Sequence, residues 1–134
     1  MTFTRKALAG AILAILVSSA AFADQVSTLS QKTALQAAMQ KHIERSLVDG
    51  SYLHFDMAGG VVRELAPVKA HPIILKMGKY FVLCSDFQDK SGKSVNIDYY
   101  LARRGRSYIV FHSEVDNRDQ LMALIKKGKV TRME

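Results

Sequence analysis

The spacing of apolar residues changes at Gly50, and that change restricts the chain to a mixed architecture. Over residues 30–48, Leu35, Met39, Ile43 and Leu47 recur at every fourth position with Ala38 beside them. Lys32, Gln36, Gln40, Lys41, Glu44 and Arg45 occupy the remaining face. Such a stripe is one side of an amphipathic helix. Gly50 suits its end, because glycine enters the left-handed region without a steric cost. Beyond it the period falls to two. Residues 51–58 alternate Leu53, Phe55 and Met57 against Tyr52, His54 and Asp56, so the first set is expected to face the core. Gly59-Gly60 supplies a turn, and residues 61–66 return as a second strand. Pro67 and Pro72 cannot donate to a ladder, which predicts a bend or sheet edge before a short strand over 73–76.

Residues 79–89, 94–102 and 107–115 are rich in β-branched and aromatic side chains, and are separated by KSGK and RRGR. Glycine is the third residue of each loop, which suits a three-residue hairpin connection. That choice places Asp89 opposite Lys93, Phe87 opposite Val95, Leu83 opposite Tyr99 and Phe81 opposite Leu101. In the second hairpin it places Ala102 opposite Arg106, Tyr99 opposite Ile109 and Ile97 opposite Phe111. A shift of one residue in the first hairpin would set Phe87 against Asn96 and strand apolar side chains among polar ones. A closing helix follows, with Asn117 as its cap, Gln120 completing a capping box, Leu121, Leu124 and Ile125 on one side and Gly128 at its end. The tail, residues 129–134, reads as frayed or weakly docked.

The expected assembly is α+β: an amino-terminal amphipathic helix across an antiparallel sheet of four to five strands, closed by a short carboxyl-terminal helix. That outline resembles cystatin-like folds, in which a sheet wraps one long helix, or a reduced nuclear-transport-factor-2-like cone. The resemblance is architectural and implies no activity.

Residues 1–23 read as a secretory signal peptide. Arg5 and Lys6 precede an apolar run from Ala7 to Val17, and Ala21-Phe22-Ala23 provides a small-residue cleavage site. The run has 11 residues, against the ~20 a spanning helix needs. The mature chain, 24–134, is then one small domain without a transmembrane span, and it is expected to be periplasmic or secreted. Removing Arg5 and Lys6 from 19 basic residues leaves 17 against 12 acidic, a formal charge of +5. A basic surface favours anionic partners, and export argues against nucleic acid.

Alternation gives the sheet a polar face turned away from the helix, in three rows: Asp86 with Asn96 and His112, Cys84 with Asp98 and Val110, and Val82 with Tyr100 and Tyr108. Asp86, Asp98 and His112 together would suit acid–base chemistry, but they lack close metal-ligand spacing, so neither a metal nor a cofactor is expected. The only cysteine, Cys84, sits beside a carboxylate that disfavours thiolate. In an oxidising compartment it could instead pair two chains into a homodimer. Arg103, Arg104 and Arg106 gather at a hairpin tip near Tyr100 and Tyr108, where guanidinium forks would take carboxylate or phosphate. His42, His54 and His71 have no evident partners. The leading expectation is a non-enzymatic accessory or binding module that contacts a protein or an anionic envelope component. The alternatives are a small acid–base enzyme and a carrier of an apolar ligand held between helix and sheet.

Overall fold

The computed structural model describes residues 18–134, and the charged start and apolar run of the expected export signal lie outside the described residues. The chain is α+β: a long helix, an antiparallel sheet of seven strands and a short helix. The elements are α1 (Ser18–Ser46), β1 (Leu47–Val48), β2 (Ser51–Asp56), β3 (Val61–Met77), β4 (Tyr80–Gln88), β5 (Ser94–Arg104), β6 (Ser107–Val115), α2 (Asp119–Lys126) and β7 (Thr131–Arg132). The strands lie in chain order from β1 to β6, with β7 added beside β3. The sheet therefore exceeds the expected four to five strands. The helix hands over to a strand at Leu47, and the tail contributes another. No described helix is long and apolar enough to cross a membrane.

The stripe on α1 does what its spacing requires: Leu35, Met39 and Ile43 are buried against Leu65, Phe81, Leu83, Phe87, Val95, Ile97, Tyr99 and Leu101. α1 extends twelve residues before the expected start at Ser30, with exposed side chains at Ala21 and over 23–27. Gly50 ends no helix. Asp49 (φ 49°) and Gly50 (φ 80°) are the two central residues of the β1–β2 hairpin, and a positive φ at both belongs to a type I′ turn. This turn pairs Leu47 with Tyr52 and directs Tyr52 inward onto Phe87 and Tyr99. Leu53, Phe55 and Met57 consequently lie exposed, Phe55 by 55%. The expected faces of this strand are reversed, because the turn outranks the alternation.

Pro67 and Pro72 do not divide the chain. They sit within the 17-residue β3, whose pairing with β4 shifts between Pro67 and Lys69 and again between Ala70 and Ile74. The irregular register absorbs two residues that lack an amide donor. Past these shifts β3 continues to Met77, and β7 pairs there through Leu75–Arg132 and Lys76–Thr131. The tail is docked rather than frayed: Val130 is buried and the Met133 amide donates to the Ile74 carbonyl.

The β4–β5 register matches its expectation throughout, with Phe87–Val95, Leu83–Tyr99 and Phe81–Leu101 paired and Gly92 at φ 83°. The β5–β6 register does not. Arg104 pairs with Ser107, leaving Gly105-Arg106 as a two-residue loop. Gly105 (φ 60°) takes the first central position, as a type II′ turn requires. Tyr108 and Val110 thereby pack on the core, where Ile109 and Phe111 were expected, and Phe111 is 51% exposed. A register shift between Tyr100–His112 and Leu101–Val110 leaves Phe111 as the extra residue and restores inward alternation beyond it, with Ile97 opposite Val115.

α2 lies on the face opposite α1, where Leu121 and Val130 bury Val82, with Leu75, Met77, Tyr100, Leu124 and Ile125 around them. Its expected cap is not formed. Arg118 is the N-cap and no side chain bonds to the helix end, while Asn117 instead donates to Glu114 Oε2 at 3.0 Å. Within the main core the Tyr99 hydroxyl is buried close to Tyr52, the one side chain that influences it as a hydrogen-bonding neighbour, but no hydrogen bond of ordinary geometry reaches it. Leaving a buried hydroxyl unsatisfied costs about 1–3 kcal/mol. Tyr99→Phe is therefore expected to raise the unfolding free energy by about 1 kcal/mol, within that range. A urea titration in which the variant is less stable than the parent would show that this hydroxyl is satisfied.

Candidate functional site

Asp86 and Asn96 stand in one row as expected, and Asn96 Nδ2 donates to Asp86 Oδ1 at 3.2 Å. The imidazole beside them is His71, whose Nε2 lies 2.7 Å from Asp86 Oδ2. The irregular segment of β3 brings it there. Burial, the largest single influence on Asp86, pushes its carboxyl up. Hydrogen bonds from His71 and Asn96 outweigh burial and hold it below the ordinary range. His112 does not join this group. Displaced by the altered register, it pairs with Tyr100, lies tilted against that ring with centroids 5.4 Å apart and sits 2.7 Å from Glu114 Oε1. Hydrogen bonding from Asn117, then from His112, depresses the Glu114 carboxyl.

Asp98 sits deeper than a residue on a wet sheet face. It is 1% exposed, and Arg118 at the start of α2 donates from Nε to its Oδ2 at 3.1 Å. Its Oδ1 has no partner. Burial raises the Asp98 carboxyl against the opposing pull of Arg118. Cys84, opposite Asp98, is also buried, and burial raises its thiol. Its protonated form is thus favoured, which suits an inert side chain. Among the described residues no three His, Cys, Asp or Glu side chains gather to hold a metal ion.

Tyr100 and Tyr108 form no common platform. Tyr100 lies on the α2 side, whereas Tyr108 lies on the α1 side, where its hydroxyl accepts from Gln31 Nε2 at 2.9 Å. Tyr108 also separates the three arginines. Arg103 donates from Nε to the Gly105 carbonyl and lines one groove with Lys76, Lys79 and Tyr80. Arg104 and Arg106 line another, of about 540 Å³, between α1 and the β5–β6 hairpin. Across it stand Lys41 and Arg45, which share one side of α1 because residues four apart are neighbours on a helix.

This second groove has the stronger chemistry. Ala34, Ala37 and Ala38 give it a low floor against which β6 can approach, and Tyr108, Ile109 and Val110 form its wall. No carboxylate lines it, and among the described residues none of Lys41, Arg45, Arg104 and Arg106 is in an ion pair. Burial lowers the His42 imidazole at its margin. Four uncompensated cations facing one another across a concavity repel until an anion neutralises them. The sequence presented Lys41 and Arg45 only as the polar side of a helix. Their four-residue spacing beside a patch of alanines was the signal that could have placed them against a hairpin. Against protein-family models, characterised proteins and solved structures the chain has no match, so the chemistry of this groove stands on its geometry alone.

Proposed function

We propose that this chain is an exported binding module, periplasmic or secreted and without catalysis, that holds an anionic partner between α1 and the β5–β6 hairpin. The observation that carries the reading is the convergence of Lys41, Arg45, Arg104 and Arg106 on one groove with no carboxylate in its lining. Guanidinium groups recognise carboxylate and phosphate through paired donors, and two walls approaching one concavity allow several such contacts at once. A cystatin-like arrangement, with the sheet wrapped on one helix, suits a rigid scaffold of this kind.

The rival readings draw on less. An acid–base enzyme would use the His71–Asp86 contact, but the neighbouring Asp98 is engaged by Arg118 and covered. A carrier would need space between helix and sheet, where Leu35, Met39, Phe87 and Leu101 are tightly buried.

Immobilised polyglutamate and polyphosphate provide the probes. The mature chain is expected to bind both, more weakly as salt rises. Arg45→Glu combined with Arg104→Glu should lower affinity at least about tenfold, since each reversal places a carboxylate where an anion would sit. Arg103→Glu should do less, because that side chain belongs to the neighbouring groove. Unchanged binding by the double variant would sink the assignment to this groove. Export is checked on protein isolated from its source: its first residue should be Asp24, and a chain retaining Met1 would refute it.

A further inference from the structure

Resting on the anion-binding reading, we infer that the partner is a polypeptide. An extended acidic segment adds as a strand to the free edge of β6 and sets its carboxylates among Lys41, Arg45, Arg104 and Arg106. β6 ends the sheet, paired with β5 on one side only. None of its residues is fully buried, whereas β4 is largely buried and β5 is buried over its central residues.

The decisive geometry is the way β6 lines the grooves. The cationic groove is bordered by Ser107, Tyr108, Ile109 and Val110 in succession. A second groove, of about 390 Å³, continues past them along Val110, Phe111, His112 and Ser113. The two share His42 and Val110. Successive side chains of a strand point to opposite faces. A trough lined by seven consecutive residues therefore follows the edge of the strand rather than either face. Along that edge every second residue turns its N–H and C=O away from β5, and none of these groups has a backbone partner among the described residues. Seven residues of strand span about 23 Å, enough for a short peptide to pair as edge strands do in β-augmentation.

The edge also lacks protection of the usual chemical kind. Exposed edges are commonly blunted by lysine or proline, and β6 reads SYIVFHSEV with neither. Its bulge at Phe111 is the one interruption, so regular pairing is expected over 107–110, beside the cations. Charge decides the occupant. A second copy would bring β6 with one carboxylate, Glu114, already held by His112 and Asn117, against four uncompensated cations. An acidic segment supplies what the groove lacks. Beyond the bulge the trough is bordered by Ser46, Tyr52, Leu53 and Phe111, which suits neutral or apolar residues at the other end of the segment.

The experiment uses the mature chain and a nine-residue peptide of alternating glutamate and valine, acetylated and amidated, with residue-resolved amide exchange by NMR. At a peptide concentration ten times its Kd, every second amide over 107–110 should exchange about tenfold more slowly. The Lys41→Glu with Arg45→Glu variant should lose that protection. Peptide binding without protection of the β6 amides would overturn strand addition and leave the anion site standing. Binding of polyphosphate but not of the peptide would do the same. If neither probe binds, the anion reading falls together with the strand. Sedimentation of the free protein completes the test: a dimer whose β6 amides are already protected would give this edge to a second copy and overturn the proposal.

Discussion

Replacing Arg118 with alanine is expected to lower the unfolding free energy by about 2–3 kcal/mol at neutral pH. Removing one member of a buried ion pair costs about 3–5 kcal/mol, because the other charge is left without compensation. The Arg118 side chain is 41% exposed, so water screens part of the interaction and the expected loss falls below that range. Asp98 has no alternative partner, since its second oxygen is already unsatisfied. Adding Asp98→Asn to the variant should recover most of the loss by removing the stranded charge. The pH dependence separates charge from packing. Burial raises the Asp98 carboxyl above its unfolded value of 3.8. A group raised in this way stabilises the fold fully below the unfolded value and loses that contribution as pH rises through the folded one. Without Arg118 the rise is larger. The difference between parent and variant should therefore be small near about pH 4 and full near about pH 7. Asp86 and Glu114, both depressed, act in the opposite sense and lose their contribution as pH falls. Glu114 is shared by both proteins and cancels in the comparison, whereas Asp86 loses the small depression that the Arg118 charge gives it, which adds to the difference in the same sense, small near about pH 4 and full near about pH 7. An equal loss at both pH values would mean that Arg118 acts through packing.

The parts of this molecule legible in its sequence are those where two local signals agree. In the β4–β5 hairpin, Gly92 in the left-handed region and the alternation of Phe81, Leu83 and Phe87 demand the same register. The stripe on α1 is equally unambiguous. In β6 the signals part, because Tyr108, Ile109, Val110 and Phe111 are consecutive apolar residues and either alternate pair could face inward. The RRGR loop then decides, and its glycine serves a two-residue turn as well as a three-residue one. That choice carried His112 away from Asp86 and placed Tyr108 on the α1 side. The basic groove was illegible for another reason: its walls, Lys41 with Arg45 and Arg104 with Arg106, lie about 60 residues apart in the chain. Arg118 and His71 were missed because only the docking of α2 and the irregular pairing of β3 bring them to Asp98 and Asp86.

The covering of Asp98 depends on α2, and Leu121→Asp should lift it. An eight-residue helix does not persist in water on its own, so α2 is held by what it buries, chiefly Leu121 with Val130 on Val82. A carboxylate at position 121 would cost several kcal/mol if it stayed buried. Undocking is the cheaper outcome and sets a ceiling on the loss. Full burial of a leucine or valine side chain contributes about 1.5–3 kcal/mol each, so losing Leu121 and Val130 together gives an expected destabilisation of about 3–6 kcal/mol. Cys84, 8% exposed in the intact fold and influenced by the nearby Arg118 charge, reports the event. Its thiol should react slowly with a maleimide in the parent and at least about tenfold faster in the variant, because both access and thiolate fraction rise. Circular dichroism should still show the sheet. Arg118→Ala is the control, since it removes the countercharge while leaving Leu121 in place, and there Cys84 should stay slow. If Cys84 is as slow in Leu121→Asp as in the parent despite the lost stability, α2 is not its cover. If it is fast in both variants, the guanidinium of Arg118 closes this face of the sheet, and the apolar contacts of α2 only support it.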